Sequence, residues 1–167
     1  SIAFISVVLI FTAFLAGKQM LEKQIQRSLA EKGFPDVAFS ISALGWNAIS
    51  FHNISLGEKI PLTLDSMTLD YSIMELLQGN LREAHLDHVG MKRDNITLDV
   101  HNIQLHFEAG RKGSWSIETV EIGKPPLPLP VLAGNGTFDM ESGPLQVKGE
   151  FKSADQSHRA NFAVFYD

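Results

Sequence analysis

Four stretches of the chain repeat one arrangement: two apolar residues in alternation, a polar pair, then two more apolar residues in alternation. They are Ile49, Phe51, Ile54, Leu56; Leu62, Leu64, Met67, Leu69; Ala84, Leu86, Val89, Met91; and Leu98, Val100, Ile103, Leu105. The intervening pairs are His52-Asn53, Asp65-Ser66, Asp87-His88 and His101-Asn102. A period of two marks strands, but in a regular strand the extra residue would swing the second apolar pair to the opposite face. A bulge at each polar pair restores the face and adds bend and twist. The same slip in successive strands predicts a mainly β chain with a curved, elongated antiparallel sheet. A globular sandwich containing four such bulges satisfies the same pattern.

The rest of the chain from Asp36 onward supplies further alternation at Val37, Phe39 and Ile41, at Trp115 and Ile117, at Phe138 and Met140, at Leu145 and Val147, and at Phe162, Val164 and Tyr166. Antiparallel strands with one apolar and one polar face have this appearance. One short helix is predicted between strands, over 72–79, from a capping box at Ser72 and Glu75 and a stop at Gly79. The segment 124–130 holds four of the seven prolines. It reads as an extended connector, since proline cannot donate to a central ladder. From Leu132 to Tyr166 roughly three more strands are expected. An unpaired apolar strand at a terminus is an aggregation hazard, so the natural protein is expected to continue beyond it.

The N-terminal stretch differs in kind. Ser1 to Gly17 holds no charged residue, and as a helix would span roughly 25 Å against a bilayer core of about 30 Å. A membrane anchor whose span begins upstream of Ser1 is the favoured expectation, with a cleaved signal peptide and a buried core helix as the alternatives. Beyond Gly17, Leu21, Ile25 and Leu29 recur on one helical stripe, and Gly33 and Pro35 stop the pattern. One long helix that leaves the membrane, presents a narrow apolar seam and caps whatever follows is predicted; an ordinary amphipathic surface helix fits the stripe equally well. Its four Lys or Arg against two Glu give a mild vote for a cytoplasmic location of that segment.

Signals for chemistry are sparse. The absence of cysteine removes disulfides, thiolate metal sites and cysteine nucleophiles. A net charge of -5 argues against nucleic acid, whose binding draws on a basic surface. His85 and His88, three apart on a predicted strand, are expected to point to opposite faces, and His52 and His101 sit in the recurring polar pairs, so no metal site is expected. Gly110 to Trp115 reads as a hairpin turn rather than a phosphate loop, and Asp65, Asp70 and Asp87 show no reason to be paired. No catalytic residue, enzyme activity or cofactor is expected. Three glycosylation sequons begin at Asn53, Asn95 and Asn135 and matter only in a eukaryotic secretory setting.

Several motifs together resemble the start of the AsmA-like proteins, in particular the YdbH-like branch of bacterial intermembrane phospholipid transport proteins. They are the N-terminal apolar stretch, Leu29-Ala-Glu-Lys-Gly-Phe-Pro-Asp-Val37, Leu44-Gly-Trp, His52-Asn-Ile-Ser-Leu-Gly57, Leu69-Asp-Tyr-Ser-Ile-Met-Glu-Leu-Leu-Gln-Gly-Asn80 and Leu86-Asp-His-Val-Gly-Met91. The resemblance covers most of the chain and loosens after Trp115; family members are several times longer. It implies a membrane-anchor and juxtamembrane helix over 1–33 and, over 34–167, the N-terminal part of a longer β-groove. It implies a single pass through the bacterial inner membrane, with the β-domain in the periplasm, against the charge vote above. The implied partners are phospholipids, the inner membrane and an outer-membrane lipoprotein at the far end of the full-length groove.

Such a groove would remove a physical barrier rather than catalyse a reaction. Exposing about 30 acyl methylenes to water costs on the order of 20 kcal/mol or more. The candidate lipid-binding lining, chosen from alternation, is Phe39, Ile41, Ile49, Phe51, Leu62, Leu64, Leu69, Tyr71, Leu86, Ile96, Leu98, Val100, Leu105, Phe107, Ile117, Phe138, Val147 and Val164. For each, the alternative is an ordinary core residue beneath a second sheet. A second function class is an envelope assembly scaffold that binds protein along an exposed strand edge.

Overall fold

The structure is a computed structural model describing residues 2–58, 61–72, 74–75, 80–108, 111–124, 126, 129–141 and 145–166, with side chains described from Gly17 onward. One helix, α1 (Ile2–Glu31), precedes nine strands: β1 (Ala38–Leu44), β2 (Ala48–Ser55), β3 (Leu62–Asp70), β4 (Glu83–Arg93), β5 (Ile96–Glu108), β6 (Lys112–Gly123), β7 (Leu132–Asp139), β8 (Leu145–Ser153) and β9 (Arg159–Tyr166). The strands form one sheet in sequence order, with every neighbouring pair antiparallel. Among the described residues there is no second sheet for a sandwich.

The polar pairs produce a different irregularity from four separate bulges. His52 pairs with Ser66 and Ile54 with Leu64, so Asn53 and Asp65 are skipped without a change of register. The β3–β4 ladder likewise passes from Leu64↔Val89 to Met67↔Leu86, the β4–β5 ladder skips Asp87 and Asn102, and the β5–β6 ladder skips Asn102 and Glu118. β6 therefore belongs to the same series, with Trp115, Ile117, Val120 and Ile122 flanking Glu118 and Thr119. Each of these strands carries its extra residue in the same row, so neighbours stay aligned. The offset surfaces as a register shift only where β6 meets the regularly alternating β7, between Ile117 and Val120, and in two shifts along β1. Asn53 and Asn102 absorb the slip with φ of 53° and 52°, a left-handed conformation that asparagine tolerates better than most residues.

The register places the apolar residues on one face. Ile49, Leu69, Ala84, Leu105 and Trp115 make one row, and Ile54, Leu64, Val89, Val100, Val120 and Leu132 another on the far side of the slip. The helix covers the β1 end of this face. Ile41, Ile49, Phe51 and Tyr71 form a buried core there, packed against Leu21 and Ile25 of α1. The expected stripe on the helix is thus its sheet-facing seam. Glu22 Oε1 accepts a hydrogen bond from the Ile41 amide at 2.7 Å, which occupies a donor on edge strand β1. At the opposite edge, β9 leaves Val164, Phe165 and Tyr166 exposed.

The expected transmembrane helix is not supported. Among the described residues no helix is long and apolar enough to cross a membrane. Lys18, Glu22, Lys23, Arg27 and Glu31 charge the later part of α1, and charged groups are costly in a bilayer core. The side chains of residues 2–16 lie outside the described residues. Of the short helix expected over 72–79, Met74 and Glu75 are helical. Its capping box is present: the Glu75 amide donates to Ser72 Oγ at 3.1 Å and the Ser72 amide to Glu75 Oε2 at 3.3 Å. Residues 73 and 76–79 lie outside the described residues. Within 110–115 the turn is shorter than expected, because β6 already begins at Lys112; Gly110 lies outside the described residues.

Candidate functional site

An apolar pocket of about 630 Å³ lies between α1 and the first three strands. Its lining is Ile25 and Leu29 of α1, Phe34 and Val37 of the connection, Phe39 of β1, Phe51 and Ile54 of β2, Leu56, and Leu64, Met67 and Leu69 of β3. Residues from both sides of the slip line one cavity, which is the restored face that the sequence pattern required. The volume falls within the roughly 300–1,000 Å³ of small-molecule sites. Every lining side chain is apolar, so the pocket offers hydrocarbon contact and no side-chain hydrogen bond to orient a polar ligand.

The C-terminus of α1 builds one wall of this pocket. Phe34 N donates to Leu29 O at 2.9 Å and Gly33 N to Ala30 O at 3.1 Å, with Gly33 at φ 94°. This is a complete Schellman motif, whose usual companion is an apolar contact between the residues that Leu29 and Phe34 represent. Here both side chains face the pocket. Near the mouth, Gly57 adopts φ 87°, and a Cβ at that position would lie 2.5 Å from Asp36 Cβ. The absence of a side chain lets the two loops approach. On the floor, Phe39 and Phe51 meet edge to face with ring centroids 5.4 Å apart.

Of the candidate lining residues, Phe39, Phe51, Leu64 and Leu69 line the pocket. Ile41, Ile49 and Tyr71 sit in the adjoining core, where Ile41 is fully buried. The Tyr71 hydroxyl donates to Gly45 O at 2.7 Å. The other eleven, Leu62, Leu86, Ile96, Leu98, Val100, Leu105, Phe107, Ile117, Phe138, Val147 and Val164, lie outside the pocket lining, on the apolar face beyond it. Pocket residues absent from the candidate set are Ile25, Leu29, Phe34, Val37, Ile54, Leu56 and Met67. Five of these carried a signal in the helical stripe or the slipped alternation. Phe34 was accessible only through the glycine stop before it, and Val37 through the alternation of β1.

The polar face holds a connected cluster. His88 contacts Asp65 Oδ2 through Nδ1 at 2.9 Å and Asp99 Oδ1 through Nε2 at 3.0 Å. The contact with Asp99, followed by that with Asp65, raises the His88 pKa above the ordinary histidine value. Two expectations are corrected here. Asp65 is paired, and the irregularity at Asp87 places His85 and His88 on the same face, since both alternate with the inward Ala84, Leu86 and Val89. Among the described residues, no group of three or more His, Cys, Asp or Glu side chains is placed to hold a metal ion. Comparison of the chain with family models, with curated proteins and with solved structures finds no match.

Proposed function

We propose that this chain is a lipid-transfer module that carries phospholipid acyl chains along its apolar sheet face. The observation that carries this reading is the wholly apolar pocket of about 630 Å³ opening onto that face, together with the lack of a second sheet over the face among the described residues. Acyl chains would lie on the apolar rows while head groups stay in solvent, with no bond made or broken. The aligned slips keep the apolar rows of β2 to β6 on one face, which supports a continuous groove. In this reading the uncharged stretch before Lys18 holds the chain at the bacterial inner membrane, with the sheet in the periplasm.

A photoreactive amino acid at Leu64 or Met67 tests the proposal in cells, with Thr63, on the polar face, as control. Phospholipid crosslinked at Leu64 and Met67 and not at Thr63 is the expected outcome. Protein adducts in place of lipid would transfer support to the second reading, an assembly scaffold. That alternative draws on β9, an edge strand paired without interruption to β8, since strand addition uses the free backbone groups of a sheet edge.

A further inference from the structure

The cluster around His88 is not used by the pocket, and its geometry makes a demand on protonation. A neutral imidazole has one N–H and one lone pair, whereas both nitrogens of His88 meet carboxylate oxygens. Only the doubly protonated ring donates to both. The three strands it links lie within the interrupted row: residues 65–66 and 87–88 are skipped between β3 and β4, and residue 87 opposite 102 between β4 and β5. The bond to Asp65 stands where β3–β4 pairing is missing, and the bond to Asp99 joins two strands paired at His88↔His101 and Gly90↔Asp99.

We propose that His88 is a charge-dependent brace, tying β3 to β5 through β4 when its ring carries two protons and releasing β3 when it carries one. Asp65 is the arm that lets go, because its side chain is 64% exposed against 44% for Asp99, so water replaces its bond more readily. The chain neighbours of the three braced residues, Leu64, Val89 and Val100, form one row on the apolar face. Releasing β3 therefore alters the spacing of that row. The consequence for lipid rests on the function proposed above; the brace itself does not.

The surroundings fix the direction of the effect. Asp65 faces His88 from β3, and Asp99 and His101 from β5, the latter stacked on it with ring centroids 4.5 Å apart and 9° between planes. Asp87 and His85 flank it on β4. Glu121, paired with Asp99, and Glu118, bonded to Asn102, stand on β6, and His52 lies opposite Ser66 on β2. Carboxylates outnumber cations here, which favours the imidazolium. With the folded pKa raised, the brace contributes fully below the ordinary value of about 6.5. Its contribution is lost as pH rises through the raised one.

Nitrogen NMR of the His88 ring, on the whole chain in detergent micelles, tests this. The expected result is a midpoint above that of an ordinary histidine, with both ring nitrogens protonated at low pH. Backbone shifts of Thr63 to Met67 should follow the same midpoint. Asp99→Asn and Asp65→Asn should each lower it, Asp99→Asn by more. A midpoint at or below the ordinary value, or β3 amides indifferent to it, overturns the brace; if neither variant folds, the unsubstituted chain alone decides. Phospholipid crosslinking at Leu64, repeated on both sides of the midpoint, separates the two proposals. A yield that changes with the midpoint supports the coupling, and an unchanging yield overturns it. No lipid at either pH, with the His88 titration as expected, removes the lipid reading and leaves the brace.

Discussion

Trp115 lies flat across the backbone of β7 and β8. A Cβ at Gly136 or at Gly149 would collide with its indole ring, and its Nε1 donates to Lys148 O at 3.2 Å. Phe151 covers Gly134 in the same way and stacks on Phe162 with centroids 5.4 Å apart. Glycines and recumbent aromatics thus replace upright side chains on this part of the apolar face. Gly149→Ala would push the new methyl into Trp115 and to 2.5 Å from Asn135 O. The expected loss is about 1–3 kcal/mol, the usual range for overpacking, read from urea unfolding followed by circular dichroism. An unchanged midpoint would show that the ring is free to lift.

At the scale of elements, α1 and β1 depend on one another. The Ile41 amide belongs to a fully buried residue on an edge strand, and Glu22 is its partner. Glu22→Ala leaves that donor unsatisfied, at a cost of about 1–3 kcal/mol, while Glu22→Gln keeps an acceptor and loses less. Hydrogen exchange at Ile41 should accelerate in the alanine variant; equal protection in all three proteins would mean that packing by Leu21 and Ile25 holds the helix unaided. The stripe of Leu21, Ile25 and Leu29 was legible in the sequence because helical periodicity is local. So were the strands and the slip in β2 to β5, together with the capping box at Ser72, while the slip of β6 went unread. The alignment of the slips was not, since it depends on which residue faces which across two strands. The Asp65–His88 pairing was hidden for the same reason, as was the sharing of one face by His85 and His88. Phe34 escaped because its position follows from the backbone of a helix terminus rather than from periodicity.

On the scale of the whole molecule, the balance between core and open surface varies along the sheet. Under the helix the apolar residues form a buried cluster beside the apolar pocket. Towards β9 they become exposed, reaching 53% at Val164 and 72% at Tyr166. Leu98, half-buried on β5, is a suitable place to test what the uncovered part does. Leu98→Glu is expected to remove lipid crosslinking at Leu64 by at least severalfold with the circular dichroism spectrum unchanged. Loss of the folded spectrum would instead identify the position as core, where an unpaired charge is not tolerated.

The strand order of the sheet is simply the order of the chain. No strand waits for a distant segment to arrive, so loop-closure entropy is settled hairpin by hairpin, and such local contact maps favour fast assembly. A nascent chain could therefore zip up progressively behind the helix, each new strand completing the ladder of its predecessor.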